Sequence, residues 1–310
     1  MLQRIQTIAL NTFRESVRAR ILLGLAGVAF AVSLLSLVIG SFTLQNAVRV
    51  VSDLGTGSIS LFSIAVAVVI GATSLHRELE QKTIFPILAR PIGRSEYLVG
   101  KYLGTLLVIF VFIAADAGLV MSLAALMGGR DPVLVIAAFG ALTVGLAVAA
   151  WRWVPLRTYG VVPWSVLLLV AGAWLSSNVP DERRLVLFAS ALCLFEVMIV
   201  AAFATLYSSF STPFLSALLT LGLWIVGRQA DALERFPKKF FGELVSDGAK
   251  MLAKVVPNLQ VYVPPRPLLT GEAPDVHGPT YLALAAGNAL AWTAVLLAVA
   301  ALVFKRRDFL

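Results

Sequence analysis

The chain has 310 residues, 59% of them hydrophobic and only 14% charged, and a mean hydropathy of +0.89. An ordinary soluble domain carries roughly 25% charged residues, so this composition excludes one and indicates a polytopic membrane protein. The formal charge of +8 is explained mostly by the bias of basic residues toward cytoplasmic loops, which leaves no reason to invoke a nucleic-acid partner.

A helix that crosses about 30 Å of hydrocarbon needs about 20 apolar residues. Eight runs are read as spans: 21–40, 58–75, 102–127, 132–150, 161–177, 185–207, 213–227 and 281–304. The expected fold is an all-α polytopic transmembrane helical bundle. Ahead of the first run, Leu2, Ile5, Ile8, Ala9, Phe13, Val17 and Ile21 recur at helical spacing, with Arg4, Asn11, Arg14 and Arg18 on the other side. Residues 1–20 therefore read as a helix on the inner membrane surface, or else as a plain basic flank. The first run is too long for the core of a cleavable signal, and no Ala-x-Ala-like site follows it.

Between the second and third runs lies "HRELEQKTIFPILARPIGRSEYLVGK", residues 76–101, with five Lys/Arg and three Asp/Glu. Its polar residues are too dense for lipid, so the second helix must project beyond the membrane. Pro91 and Gly93 break it, Ser95 is the expected N-cap of the next helix, and Glu96 sits where a helix dipole favours an acid. The apolar "TIFPILARP", rimmed by Lys82, Arg90 and Arg94, is either a docking knob for a soluble partner or a connector hugging the membrane.

Placing the N-terminus in the cytoplasm puts fourteen Lys/Arg on the inner side and four on the short outer loops, with both termini cytoplasmic. The lone Cys193 lies in an apolar run, which excludes a disulfide framework or a thiol pair for a metal. His76 and His277 fall on opposite sides and share no site. No metalloprotease, nucleophile-elbow or phosphate-loop motif occurs, so this chain is not expected to be an enzyme, and it is expected to hold no metal or cofactor.

No Lys or Arg falls within the eight runs, whereas two acids do, Asp116 in "IAADAGL" and Glu196 in "CLFEVMI". A charged acid at the centre of a span costs about 2.5 to 3.5 kcal/mol on insertion scales. The pair is either a substrate or proton path or a set of packing hydrogen bonds. Residues 229–280 form the one long extramembrane piece, expected outside. Within it an amphipathic helix is expected over 240–255, followed by a Pro-rich loop that covers the outer mouth or binds an extracytoplasmic partner. Residues 281–310 are the last span and a basic tail.

Several of these segments carry a resemblance. "EQKT" at Glu80 to Thr83, Leu88, "RPIGR" at Arg90 to Arg94, and Gly100, Lys101 and Gly104 resemble the first cytoplasmic loop of the type 2 ABC exporter permeases. The similarity is greatest to the copper-maturation permease of the nitrous oxide reductase cluster and to the gliding-motility permeases. "LYSSFSTPFLSALLTLGLWIVG" (206–227), "VPNLQVY" (256–262) and "FKRRDF" (304–309) are similar too, and together they cover most of the chain. The resemblance implies a permease half in a bacterial or archaeal cytoplasmic membrane, paired with a second copy. It also implies two separate ABC ATPase subunits that carry ATP and Mg. Glu80, Lys82, Thr83, Phe85, Leu88, Arg90, Pro91 and Arg94 would form the segment that docks the ATPase. Eight spans exceed the six usual for this family, so 132–177 reads as an inserted hairpin. Two other readings remain open: a secondary transporter driven by protons through Asp116 and Glu196, and a membrane scaffold or mechanotransmitter acting through 229–280.

Overall fold

A computed structural model describes residues 2–43, 45–80, 93–235, 246–251, 256–272 and 277–306; the side chains of 75–80 and 306 are not described. Among these residues every regular element is a helix. Helix α1 (Leu2–Val17) meets α2 (Arg20–Ser41) at an elbow where Ala19 is extended. Next come α3 (Ala47–Glu80) and α4 (Arg94–Met127). Helix α5 (Pro132–Arg152) starts sharply because Asp131 accepts the Val133 N–H at 3.0 Å and Pro132 needs no donor partner. A single turn (Leu156–Tyr159) leads into α6 (Val161–Leu175), which a short 3-10 turn (Ser176–Asn178) extends. Helices α7 (Pro180–Ser208), α8 (Pro213–Arg228) and α9 (Gly278–Arg306) complete the bundle.

Seven of the eight expected spans are long and apolar enough to cross a membrane. The exception corrects the sequence reading: α8 has 16 residues, about 24 Å, short of the hydrocarbon thickness. It begins near Thr73 and Ser74 of α3 and ends at Arg228, beside Glu196 roughly halfway along α7. The returning chain closes over its end. The Leu259 N–H donates to the Gly227 carbonyl at 2.9 Å, and Leu259 and Tyr262 are buried. The "VPNLQVY" segment is therefore the lid of a short helix.

Two helix starts also differ from expectation. Helix α3 begins eleven residues before the apolar run at Ser58, because Arg49 and Asp53 pair one turn apart at 3.6 Å and let the helix continue past the apolar layer. At the start of α4 the N-cap is Gly93, not Ser95. The Glu96 carboxylate accepts the Gly93 N–H at 3.4 Å, closing a capping-box arrangement that Ser95, already inside the helix, cannot make.

Helices α3, α4 and α7 form the centre, and the crossings are made by small residues. Hydrocarbon offers no hydrophobic drive between helices, so close backbone approach and dispersion must hold them. A Cβ on Gly118 of α4 would lie 2.5 Å from the Leu168 carbonyl oxygen of α6, and one on Gly172 would lie 2.4 Å from the Gly118 oxygen. Gly71 of α3 meets Ala204 of α7 just as closely. The hairpin of α5 and α6 is thus docked through α6, leaving α5 at the rim.

Helix α1 is seated on the first turns of α4. A Cβ at Gly100 would be 2.7 Å from Ile8 Cβ, and one at Gly104 would be 2.5 Å from the Ala9 oxygen, while Phe13 is fully buried. The sequence pair Gly100 and Gly104 is the seat of the N-terminal helix. Phe304 of α9 stacks on Tyr97 of α4 at 6.5 Å between centroids, so α1 and the end of α9 lie at the same end of the bundle, called here the termini end. Of the amphipathic helix expected over 240–255, residues 246–251 are helical and the rest lies outside the described residues.

Candidate functional site

Two places concentrate polar groups. The first lies toward the end opposite the termini, between α3, α7 and α8. Glu196 is 1% exposed and has three donors around it. Arg228 holds it in a fork, Nε to Oε1 at 2.7 Å and Nη2 to Oε2 at 2.7 Å, and the Trp224 indole N–H reaches Oε1 at 3.0 Å. Arg228 Nη2 also donates to Ser60 Oγ of α3 at 2.7 Å, and its guanidinium sits 5.4 Å from the Trp224 ring centroid. Trp224 and Arg228 are one turn apart on α8, so both face α7. The two-point geometry suits arginine and carboxylate.

This cluster forms one wall of a cavity of about 350 Å³ that Asp53, Thr56, Cys193 and Leu269 also line. Tyr262, the last residue of the lid, and Val263 and Pro264 just after it also line the cavity. Burial first, then the Glu196 carboxylate and Tyr281, push the Tyr262 hydroxyl up to about 12, so it stays a neutral donor to the Ala285 carbonyl at 3.3 Å. Over the mouth, a short helix (Arg266–Thr270) ends at Gly271 in the left-handed conformation, φ 86°. Arg266 bridges Asp53 of α3 and Glu182 at the start of α7. Within the described part of the Pro-rich loop, Val263, Pro264 and Leu269 line the cavity, and Arg266 ties the loop to α3 and α7.

Asp116 lies elsewhere. It is fully buried on α4, accepts a hydrogen bond from Ser33 Oγ of α2 at 2.9 Å, and its other oxygen has no partner among the described residues. It does not line the cavity and shares no partner with Glu196. The two acids are not brought together.

The second place is the base of the segment after α3. Lys82, Thr83, Phe85, Leu88, Arg90 and Pro91 lie outside the described residues, and Glu80 is the last residue of α3. The flanks are described. Lys101 is 5% exposed inside α4, and its ammonium donates to the Ser74 carbonyl of α3 at 2.7 Å and to Ser74 Oγ at 3.0 Å. Arg94 donates to the Lys305 carbonyl at 2.9 Å and the Phe304 carbonyl at 3.5 Å, capping the last turn of α9. Glu96, besides capping its own helix, lies 3.9 Å from Arg4 of α1. Helices α1, α3, α4 and α9 are therefore clasped where the segment leaves the bundle.

Sequence reasoning missed Arg228 and Lys101 as interior residues because each sits just beyond the edge of an apolar run. The signal for Arg228 was Trp224 one turn before it, facing an acid in the preceding run. For Lys101 it was the flanking pair of glycines.

This is a multi-span helical membrane protein whose polar groups serve a covered cavity and a clasp. Among the described residues no group of three or more His, Cys, Asp or Glu could hold a metal. Residues 6–309 match the family described as ABC-2 family transporter protein, and the chain belongs to that family. It is the membrane permease subunit of an ABC transporter, a class that works with ABC ATPase subunits and has no ATPase activity of its own. No curated protein matches the chain.

Proposed function

We propose that the segment from Glu80 to Arg94, on the cytoplasmic side, docks the ATPase, and that the clasp at its base passes ATP-driven motion into the bundle. The observation that carries this reading is the Lys101 bond to the Ser74 carbonyl, together with the Arg94 cap on α9. A displacement of the segment is felt by both flanking helices, and through Gly100, Gly104 and Arg94 by α1 and α9. The branch reading, toward copper-maturation and gliding-motility permeases, rests on the segments it was read from, as does pairing with a second copy. The driven step is either export or mechanical work on a partner beyond residues 229–280. The bond from Glu196 to Arg228 speaks against a proton path, since this acid is already matched by a fixed cation.

Interfaces concentrate their energy in a few central side chains, so Phe85 and Leu88 are the residues to truncate. With the full-length permease and its ATPase, Phe85→Ala with Leu88→Ala is expected to abolish co-purification or stimulated hydrolysis while the permease stays membrane-inserted. Wild-type stoichiometry together with full activity would reduce the segment to a connector.

A further inference from the structure

We propose that the elbow between α1 and α2 is a binding site for an anionic phospholipid. Its phosphate would be held by Arg14, Arg18 and Arg20, and one acyl chain would lie in the groove between α2 and α3. Two adjoining depressions support this. One, of about 800 Å³ and open, is lined by Asn11, the three arginines, Glu15, Ala19 and Ile21. The other, of about 400 Å³, runs on from it past Leu22 and Leu25 of α2 and Val66, Val69 and Ile70 of α3. They share Glu15, Ala19 and Ile21, so a polar mouth opens directly into an apolar channel.

The charge argues for the headgroup. Glu15 is the one acid in either lining, which leaves a net charge of +2, and no described acid pairs with any of the three arginines. The register argues for the chain. From Thr73 to Val66 the groove runs about 10 Å along α3, away from the arginines and into the apolar span. A free phosphate would have no use for that wall, whereas a two-part lipid uses both. Basic pockets of this kind between membrane helices are built for anionic headgroups. A second copy of the chain is a poorer occupant, since an isologous contact would set these arginines close to their own counterparts.

The test uses the full-length permease in detergent, with phosphatidylglycerol or phosphatidylcholine supplied in mixed micelles and retention read by native mass spectrometry. Phosphatidylglycerol should be retained at least tenfold better. Each arginine near an anionic surface accounts for about fivefold, so Arg14→Gln, Arg18→Gln and Arg20→Gln together should erase the preference, while the three Lys substitutions keep most of it. These side chains are exposed, so a monodisperse elution profile will show that the variant is folded. Val69→Trp, which fills the groove without touching a charge, should also lower retention. Equal retention of the two lipids, an unchanged preference in the glutamine variant, or full displacement by an equal concentration of glycerol phosphate would each overturn the proposal. So would a Val69→Trp protein that loses its oligomeric state but keeps the lipid. None of these readouts depends on how the ATPase docks.

Discussion

Helices α4 and α5 follow one another in the chain and are equally apolar over their best windows. Yet α4 buries 72% of that window inside the protein and α5 only 6%. Hydropathy reports what a helix can be immersed in, and lipid and protein interior are equally acceptable to a leucine. What differs is the set of contacts made by small and polar residues. Helix α4 presents Gly100, Gly104 and Gly118 to close neighbours, whereas a Cβ at Gly140 or Gly145 of α5 would meet nothing within 4 Å. It also carries Lys101 and Asp116 inward, each with a partner on another helix. Composition alike, one helix is an axis and the other a rim.

Paired substitutions can break that contrast, each setting an interior position against an exposed one. The largest effect is expected at Gly118→Leu, which must force α4 and α6 apart and should cost about 3 kcal/mol. Gly140→Leu on α5 should stay within about 0.5 kcal/mol. Thermal unfolding of both variants in one detergent reads the difference, and similar midpoints would mean that the Gly118 crossing is not a tight one.

The same contrast applies to charge. Glu196→Gln leaves the Arg228 guanidinium, 22% exposed at its side chain, without its carboxylate, and about 2 kcal/mol is expected, less than for a fully buried pair. Asp53→Asn touches the half-exposed pair with Arg49 and the bridge to Arg266, and should cost below about 1 kcal/mol. Denaturation midpoints and a double-mutant cycle with Arg228→Gln would read the coupling; additive losses would mean the fork carries no specific energy.

The smallest difference is expected between two serines of α2. Ser33→Ala removes the one side-chain hydrogen bond to Asp116 among the described residues and should cost about 1 kcal/mol, whereas Ser41→Ala, exposed at the helix end, should be neutral. If the two alanine variants unfold at one temperature, Asp116 does not depend on Ser33.

Of the candidate sites, the ends were legible and the depths were not. The break at Pro91 and Gly93 and the acid at Glu96 announced a helix start, and the cap was misplaced by two residues because glycine at the N-cap with glutamate three residues on competes with serine. The twin glycines were visible as a pattern, but their occupant, α1, lies about ninety residues away. Glu196 was legible as a buried acid. Its partner was not, because Arg228 looked like the first residue outside the membrane until the shortness of α8 placed it beside α7.

The amino-acid sequence by itself determined that this is an all-helical membrane protein, where its apolar runs lie, and which segments resemble a transporter permease. These follow from local quantities: apolar run length against the thickness of a bilayer, helical periodicity, and the residues that start and stop helices. Only the tertiary structure decided that α4 is central and α5 peripheral, that Arg228 neutralises Glu196 while Asp116 stands apart, and that the lid over α8 completes a cavity. Those outcomes depend on which backbones approach closely enough for a buried charge to find its partner, and a hydropathy pattern holds no record of that distance.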